Sequence, residues 1–391
     1  MMKKVCVVTG TRAEYGLLKP VIEKIHKAED LQLQLVATGT HLSPEFGLTY
    51  REIEEDGYAI TEKVEMLLSS DSKVAVTKSM AVALMGFADC LECLKPDMIV
   101  ILGDRYEMLM VASAAMVAGI PIAHIHGGEI TEGAMDDAIR HSITKMSQLH
   151  FASTEVYRHR IIQMGEDPKN VFCVGALGVE NIRREKLLSR TALEESIGFS
   201  IDENTILVTY HPVTLEATPS EEQFGKLLSV IEQSPYLRII FTKANADNDG
   251  RIVNQMIDRF VNEHTDRCIA FTSLGRIRYL SALQYCAAVV GNSSSGIIEA
   301  PSFHIPTVNI GNRQQGRMCA DTVIHCGEET EEIKGAIAKA FSKEFRSMLP
   351  TMQNPYEKEN TSEQIVEGIR KMLLNAQGIK KHFYDIDFAE C

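Results

Sequence analysis

Short β-branched runs alternate with longer stretches of helical period along almost the whole chain, and they do so in two successive series. Strands are expected at Lys4–Thr9, Gln32–Thr38, Met98–Gly103, Pro121–His126, His150–Ala152 and Val171–Val174. Between them, helices are expected at Glu14–Ala28, Val74–Leu94, Tyr106–Ala118, Met135–Gln148 and Glu155–Met164. This alternation is the pattern of a parallel sheet covered by helices on both faces, an α/β class. The polar helical segment from Gly178 to Glu203 reads as a connection, after which strands are expected at Thr205–Thr209, Leu237–Phe241, Cys268–Phe271, Ala287–Val290, Thr307–Ile310 and Thr322–His325. A chain of 391 residues holds enough apolar material for two cores, so the expectation is two domains, 1–178 and 179–360, each with its own sheet.

Charge narrows the set of partners. A formal net charge of -13 argues against a nucleic-acid surface or an anionic membrane as partner, because either favours a basic footprint. Any bound phosphate must then be held by local groups. Nine cysteines without paired spacing are expected to be reduced thiols, and the close pair Cys90 and Cys93 falls in an apolar helical stretch. No run is expected to reach the ~20 apolar residues that span a bilayer. The Val5–Val8 run is too short for a signal segment, so a soluble, cytoplasmic protein is expected. The aromatic tail His382-Phe383-Tyr384 is expected to dock rather than fray.

In open parallel sheets ligands bind beyond the carboxyl ends of strands, so the residues after each strand carry the functional reading. The first strand runs into Thr9-Gly10-Thr11-Arg12-Ala13-Glu14, a small-residue loop opening a helix, where free N–H groups and Arg12 suit an anion. The dinucleotide Gly-x-Gly-x-x-Gly pattern is incomplete there, and a plain turn is the alternative. Asp104 follows the third strand at a helix start, where capping the helix is the simpler role. His124-Ile125-His126-Gly127-Gly128-Glu129 is followed by Asp136-Asp137 and Arg140-His141, a density of charge that packing does not explain. A metal held by His-x-His and carboxylates is one reading of that cluster, acid/base chemistry another.

In the second half, His211 follows a strand, where a lone histidine is more often structural than catalytic. Gly291-Asn292-Ser293-Ser294-Ser295-Gly296 places three hydroxyls at a helix start, a natural cradle for a diphosphate, with Glu299 one turn further to accept bonds from a ribose diol. A serine-capped turn is the alternative. Gly311-Asn312-Arg313-Gln314 closes the set, and the missing Gly-Lys-Ser/Thr ending argues against a P-loop.

These stretches in this order resemble the hydrolysing UDP-N-acetylglucosamine 2-epimerase family of bacterial sialic-acid and legionaminic-acid pathways. No single motif is diagnostic, but the ordered set spans nearly the whole chain. The resemblance implies a GT-B architecture, two Rossmann-like parallel-sheet domains facing across a cleft, with the last helix, 361–391, packing back on the first domain. It implies UDP held by Ser294, Ser295, Glu299, Arg313 and Arg12, and a reaction without cofactor or metal. The family chemistry removes the C2 proton as UDP leaves C1, then hydrates the resulting 2-acetamidoglucal with inversion at C2. Carry-over points to Asp104 and Asp136 as its carboxylates and to His211 beside the leaving phosphate. The implied product is N-acetylmannosamine, the partner a UDP-sugar, and the assembly a homo-oligomer.

One departure bears on the assignment. Many relatives carry glutamate at the position of His126, so either His126 or Glu129 takes that acid/base role. Three other readings stay in view: a UDP-N,N'-diacetylbacillosamine 2-epimerase, a GT-B glycosyltransferase, and a metal-dependent hydrolase built on His124, His126, Glu129 and Asp136.

Overall fold

The computed structural model describes residues 2–70, 72–131, 135–212, 219–244, 250–375 and 379–386. The chain gathers into two compact units, one from 1–129, 134–181 and 358–391, the other from 130–133 and 182–357.

The first unit is built on a seven-stranded sheet of β1 (Lys3–Thr9), β2 (Leu31–Thr38), β3 (Glu62–Val64), β4 (Met98–Leu102), β5 (Ile122–Ile125), β6 (Leu149–Ala152) and β7 (Val171–Cys173). Every neighbouring pair is parallel, in the order β3-β2-β1-β4-β5-β6-β7. The order reverses between β1 and β4, and the loops that leave those two strands therefore flank a crevice at the carboxyl edge. Strand β3 has no counterpart in the sequence reading. It is three residues long, with exposed Glu62 and Lys63, and backbone pairing to β2 defines it rather than any apolar period.

The second unit repeats the plan with β8 (Thr205–Thr209), β9 (Arg238–Thr242), β10 (Cys268–Phe271), β11 (Ala288–Gly291), β12 (Thr307–Ile310) and β13 (Val323–Cys326), ordered β10-β9-β8-β11-β12-β13 and again all parallel. Its reversal lies between β8 and β11.

Alternation along each strand feeds two cores per sheet. Val5 and Val7 pack on one face of the first sheet while Cys6 and Val8 pack on the other; Ile206 and Val208 oppose Leu207 in the second. Burial on both faces explains why these strands read as unbroken apolar runs. The helix Thr361–Asn375 belongs to the first unit, with Ile365, Val366 and Ile369 in the core of Val5 and Val7 and Thr361 Oγ1 donating to the Val174 carbonyl at 2.6 Å.

Two expectations need adjustment. Helix Lys73–Leu94 is 22 residues long and, by length and composition alone, apolar enough to cross a membrane, contrary to the reading that no segment is. Its Ala83, Phe87, Cys90 and Leu91 are instead spent on the core between the first sheet and helix Tyr106–Ala118. The aromatic tail does dock, but through polar groups: Lys381 pairs with buried Glu166, the Tyr384 N–H donates to the Gly165 carbonyl at 2.9 Å, and the Phe383 ring stays 65% exposed. Residues 376–378 and 387–391 of that segment lie outside the described residues.

Candidate active site

Strand β1 ends under Gly10, whose neighbours leave no room for a side chain: a Cβ there would stand 2.7 Å from Glu107 Oε1. The Gly10 and Thr11 N–H groups are not open to an anion. Glu14 Oε2 accepts from Gly10 N–H at 2.7 Å and Thr11 N–H at 3.1 Å, completing a capping box on helix Arg12–Lys27. Burial, and then the nearby charge of Glu107, push Glu14 up to about 8. Arg12 Nε bonds Glu52 at 2.9 Å in an exposed ion pair, so its guanidinium is already partnered.

The loop after β4 corrects the capping expectation for Asp104. The N-cap of helix Tyr106–Ala118 is Arg105, without a side-chain cap, and Asp104 instead forms an ion pair with Arg140. Arg140, only 1% exposed, also donates to the Glu129 carbonyl at 2.9 Å and to Asp137 Oδ1 at 3.1 Å. One buried cation thus draws Asp104, Glu129 and Asp137 together at the ends of β4 and β5. A buried guanidinium requires such compensation, because an unpaired charge there costs several kcal/mol.

The two histidines of His124-Ile125-His126 part company. His124 lies fully inside β5, its Nε2 donating to the Gly103 carbonyl at 2.7 Å and its Nδ1 3.2 Å from Thr144 Oγ1; burial lowers it to about 3. It is a neutral scaffold residue. His126 leaves the strand at φ +64, a left-handed conformation that costs a non-glycine residue energy and that concentrates at functional sites. Leu177 N–H donates to His126 Nε2 at 3.4 Å, which places the ring proton on Nδ1, 3.9 Å from Glu129 Oε1. Glu129 is 5% exposed and also accepts from Ser153 Oγ at 2.8 Å. Asp136 stands exposed in the first turn of helix Met135–Met146. Among the described residues no group of three or more His, Cys, Asp or Glu is arranged to hold a metal ion.

In the second unit, Gly291 ends β11 at φ +136 with its Cβ position 1.9 Å from the Thr209 carbonyl, a spot only glycine can fill. The helix that follows, Ser294–Ile298, is a single short turn, so a macrodipole adds little to anion binding. Ser293 caps it by accepting from Ser295 N–H at 3.4 Å, and Ser295 Oγ accepts from Tyr279 Oη at 2.7 Å. The Ser294 hydroxyl has no partner among the described residues. Burial raises Glu299 while the Ser295 hydrogen bond and Arg276 oppose it. His211, at the end of β8, is lowered to about 4 by burial and then by the charge of Arg313. Its ring is therefore neutral at pH 7. Beyond β12, Gly311, Asn312, Gln314 and Arg317 with His325 and Glu332 line a cavity of about 550 Å³.

The residues missed by reading loops one at a time are those that join them. Arg140 was legible as part of a charged cluster but not as its centre, and Ser153 carried no local signal.

Comparison with known proteins fits this arrangement. The sequence pattern described as UDP-N-acetylglucosamine 2-epimerase matches residues 23–370. A Campylobacter jejuni protein named GDP/UDP-N,N'-diacetylbacillosamine 2-epimerase (hydrolyzing) is 44% identical over 88% of this chain and 89% of its own. The Legionella pneumophila UDP-N,N'-diacetylbacillosamine 2-epimerase (hydrolyzing) is 34% identical, covering 97% and 99%. Among solved structures, that of S. aureus MnaA with UDP superposes with a TM-score of 0.80 at 18% identity over 99% of this chain and 100% of that one, which establishes a shared GT-B-like fold. The chain belongs to the UDP-N-acetylglucosamine 2-epimerase family, and the two relatives above, 44% and 34% identical, are named as hydrolysing enzymes.

Proposed function

We propose that this chain is a hydrolysing 2-epimerase that takes a UDP-linked 2-acetamido sugar to the C2-inverted free sugar and UDP. The observation that carries this reading is the buried Arg140, which gathers Asp104 and the Glu129 loop at the ends of adjacent strands. Inversion at C2 needs one group to remove the proton and another to return it on the opposite face.

In this reading a carboxylate of the Asp104, Glu129 and Asp136 set removes the C2 proton as the C1–O bond to UDP breaks, giving the 2-acetamidoglucal. Water then adds at C1 while a second group of the set delivers a proton to C2. His126 keeps its Nδ1 proton toward Glu129, which favours Glu129 as the exchanging group and His126 as the residue that orients it. On the second unit, Ser294, Ser295 and Arg313 hold the diphosphate, Glu299 takes the ribose, and neutral His211 faces the departing phosphate. Arg12 would exchange Glu52 for a phosphate oxygen.

UDP-N-acetylglucosamine, giving N-acetylmannosamine, is the substrate expected from the motifs. A second reading, the 4-acetamido analogue, is favoured by the names of the 44% and 34% identical relatives. Proton NMR of turnover in deuterated water with each UDP-sugar separates them. Deuterium at C2 of a released, inverted sugar together with free UDP supports the reaction, and the faster substrate assigns the C4 group. A released sugar that keeps its C2 hydrogen would mean plain glycosyl hydrolysis and end the proposal.

A further inference from the structure

His211 and Arg313 carry the phosphate side of the proposed site, yet the structure gives the His211 ring no partner of its own. Neither imidazole nitrogen meets a protein group among the described residues. Its placement must therefore come through the backbone. That backbone is held by one side chain: His211 N–H donates to Asn292 Oδ1 at 2.7 Å, and Asn292 Nδ2 donates to the His211 carbonyl at 2.8 Å. The carbonyl of Asn292 in turn accepts from Arg313 Nη1 at 3.0 Å and from Gln314 Nε2 at 2.8 Å. Asn292 is 1% exposed and its N–H donates to the Thr209 carbonyl at 3.2 Å. One buried residue thus ties together the loops that leave β8, β11 and β12.

We propose that Asn292 is a positioning residue of the phosphate site, fixing the His211 ring and the Arg313 guanidinium in register with each other. The proposal rests on the assignment of those two residues to UDP.

The chemistry requires an amide at this position. A residue that grips both the N–H and the C=O of one neighbour must offer an acceptor and a donor a single carbon from its backbone, and among side chains only asparagine does so. Aspartate keeps the acceptor but sets a second oxygen against the His211 carbonyl, leaving a buried acceptor unsatisfied and adding a negative charge where His211 now faces only the cation of Arg313. Because the grip is made before any ligand arrives, it preorganises the site rather than contributing contact energy.

The test uses the full chain and UDP itself. Asn292→Asp, Asn292→Ala and Asn292→Ser are compared with the parent by circular dichroism, by calorimetry with UDP, and by long-range nitrogen–proton NMR of the imidazoles, the His211 signal being assigned with His211→Gln. The expected result is folded protein in which UDP binds at least ~10-fold more weakly. In Asn292→Asp the His211 titration also moves upward from its acid position, because a carboxylate favours the imidazolium. Turnover should fall in kcat more than KM rises. Folded variants with UDP affinity within about threefold of the parent and an unmoved His211 titration would overturn the proposal. Failure of all three variants to fold would assign Asn292 to the scaffold and overturn it equally. Calorimetry and NMR need no turnover, so they separate this outcome from a failure of the 2-epimerase reading.

Discussion

The carboxyl edges of the two sheets solve opposite problems with the same topology. On the first sheet the polar loop residues are charged and matched to one another: Asp104 and Asp137 to Arg140, Glu107 to Arg105 at 2.5 Å, Arg12 to Glu52. On the second sheet the loops are held by neutral amides, hydroxyls and glycine contacts, and the Ser294 hydroxyl and the His211 imidazole have no protein partner among the described residues. Several carboxylates held this close would repel one another without a buried cation, and Arg140 supplies it. The second edge holds its carboxylate Glu299 against Ser295 and near Arg276, and commits Arg313 and Gln314 to the Asn292 carbonyl. The contrast is one of electrostatics, since the backbone plan is shared.

Breaking the first edge at its centre should have the largest effect. Arg140→Met would leave Asp104 and Asp137 without their cation, and a loss of about 3–5 kcal/mol in unfolding free energy is expected, as for other half-broken buried pairs. Chemical denaturation checks it, and stability within 1 kcal/mol of the parent would mean that Arg140 is not the electrostatic centre.

Asp104→Asn comes next. Since Asp104 does not cap the helix and asparagine keeps an acceptor for Arg140, the fold should hold with a lowered melting temperature while turnover drops about 10²–10⁴-fold. A variant that stays active would remove Asp104 from the chemistry.

The pair His126 and Glu129 sharpens the comparison within one loop. Glu129→Gln should cost at least ~100-fold in turnover. His126→Asn, an amide residue that tolerates the left-handed backbone, should cost less, since its role is to orient. Steady-state kinetics decide it, and the reverse ranking would make His126 the exchanging group.

On the second edge, Arg313→Ala should weaken UDP binding by roughly 1.5–3 kcal/mol without loss of fold, as for a charge-assisted hydrogen bond. Unchanged affinity by calorimetry would detach Arg313 from the diphosphate.

The smallest effect is on stability against pH. His124 is lowered from 6.5 to about 3 in the folded chain, so the unfolded state binds more protons in that window. The stabilisation it provides is complete above pH 6.5 and is lost as pH falls toward 3. About 1–2 kcal/mol should disappear between pH 6.5 and 5. In His124→Asn that part of the slope should vanish. An identical pH profile in the variant would show that other groups set it.

How much was legible differs between fold and site. The α/β class and twelve of the thirteen strands among the described residues followed from apolar alternation, because strands buried on both faces announce themselves locally. The exception, β3, is set by pairing with β2 and carries charged residues. For the site, the motif order pointed to the right loops but not to the use of their atoms. The Gly10–Thr11 amides suited a phosphate by local rules, and in the folded chain Glu14 occupies them. Asp104 suited a cap, and Arg140, 36 residues further on, claims it.

What the sequence determines by itself is the succession of strands and helices, the two-fold repetition of a parallel sheet, and a family-wide set of loops, because each depends on neighbours within a few residues. Only the tertiary structure decides which polar groups in those loops spend their hydrogen bonds on each other and which are left for a ligand. That allocation depends on strand order: Asn292 meets His211 across 81 residues because β11 lies beside β8, and no local pattern encodes that adjacency.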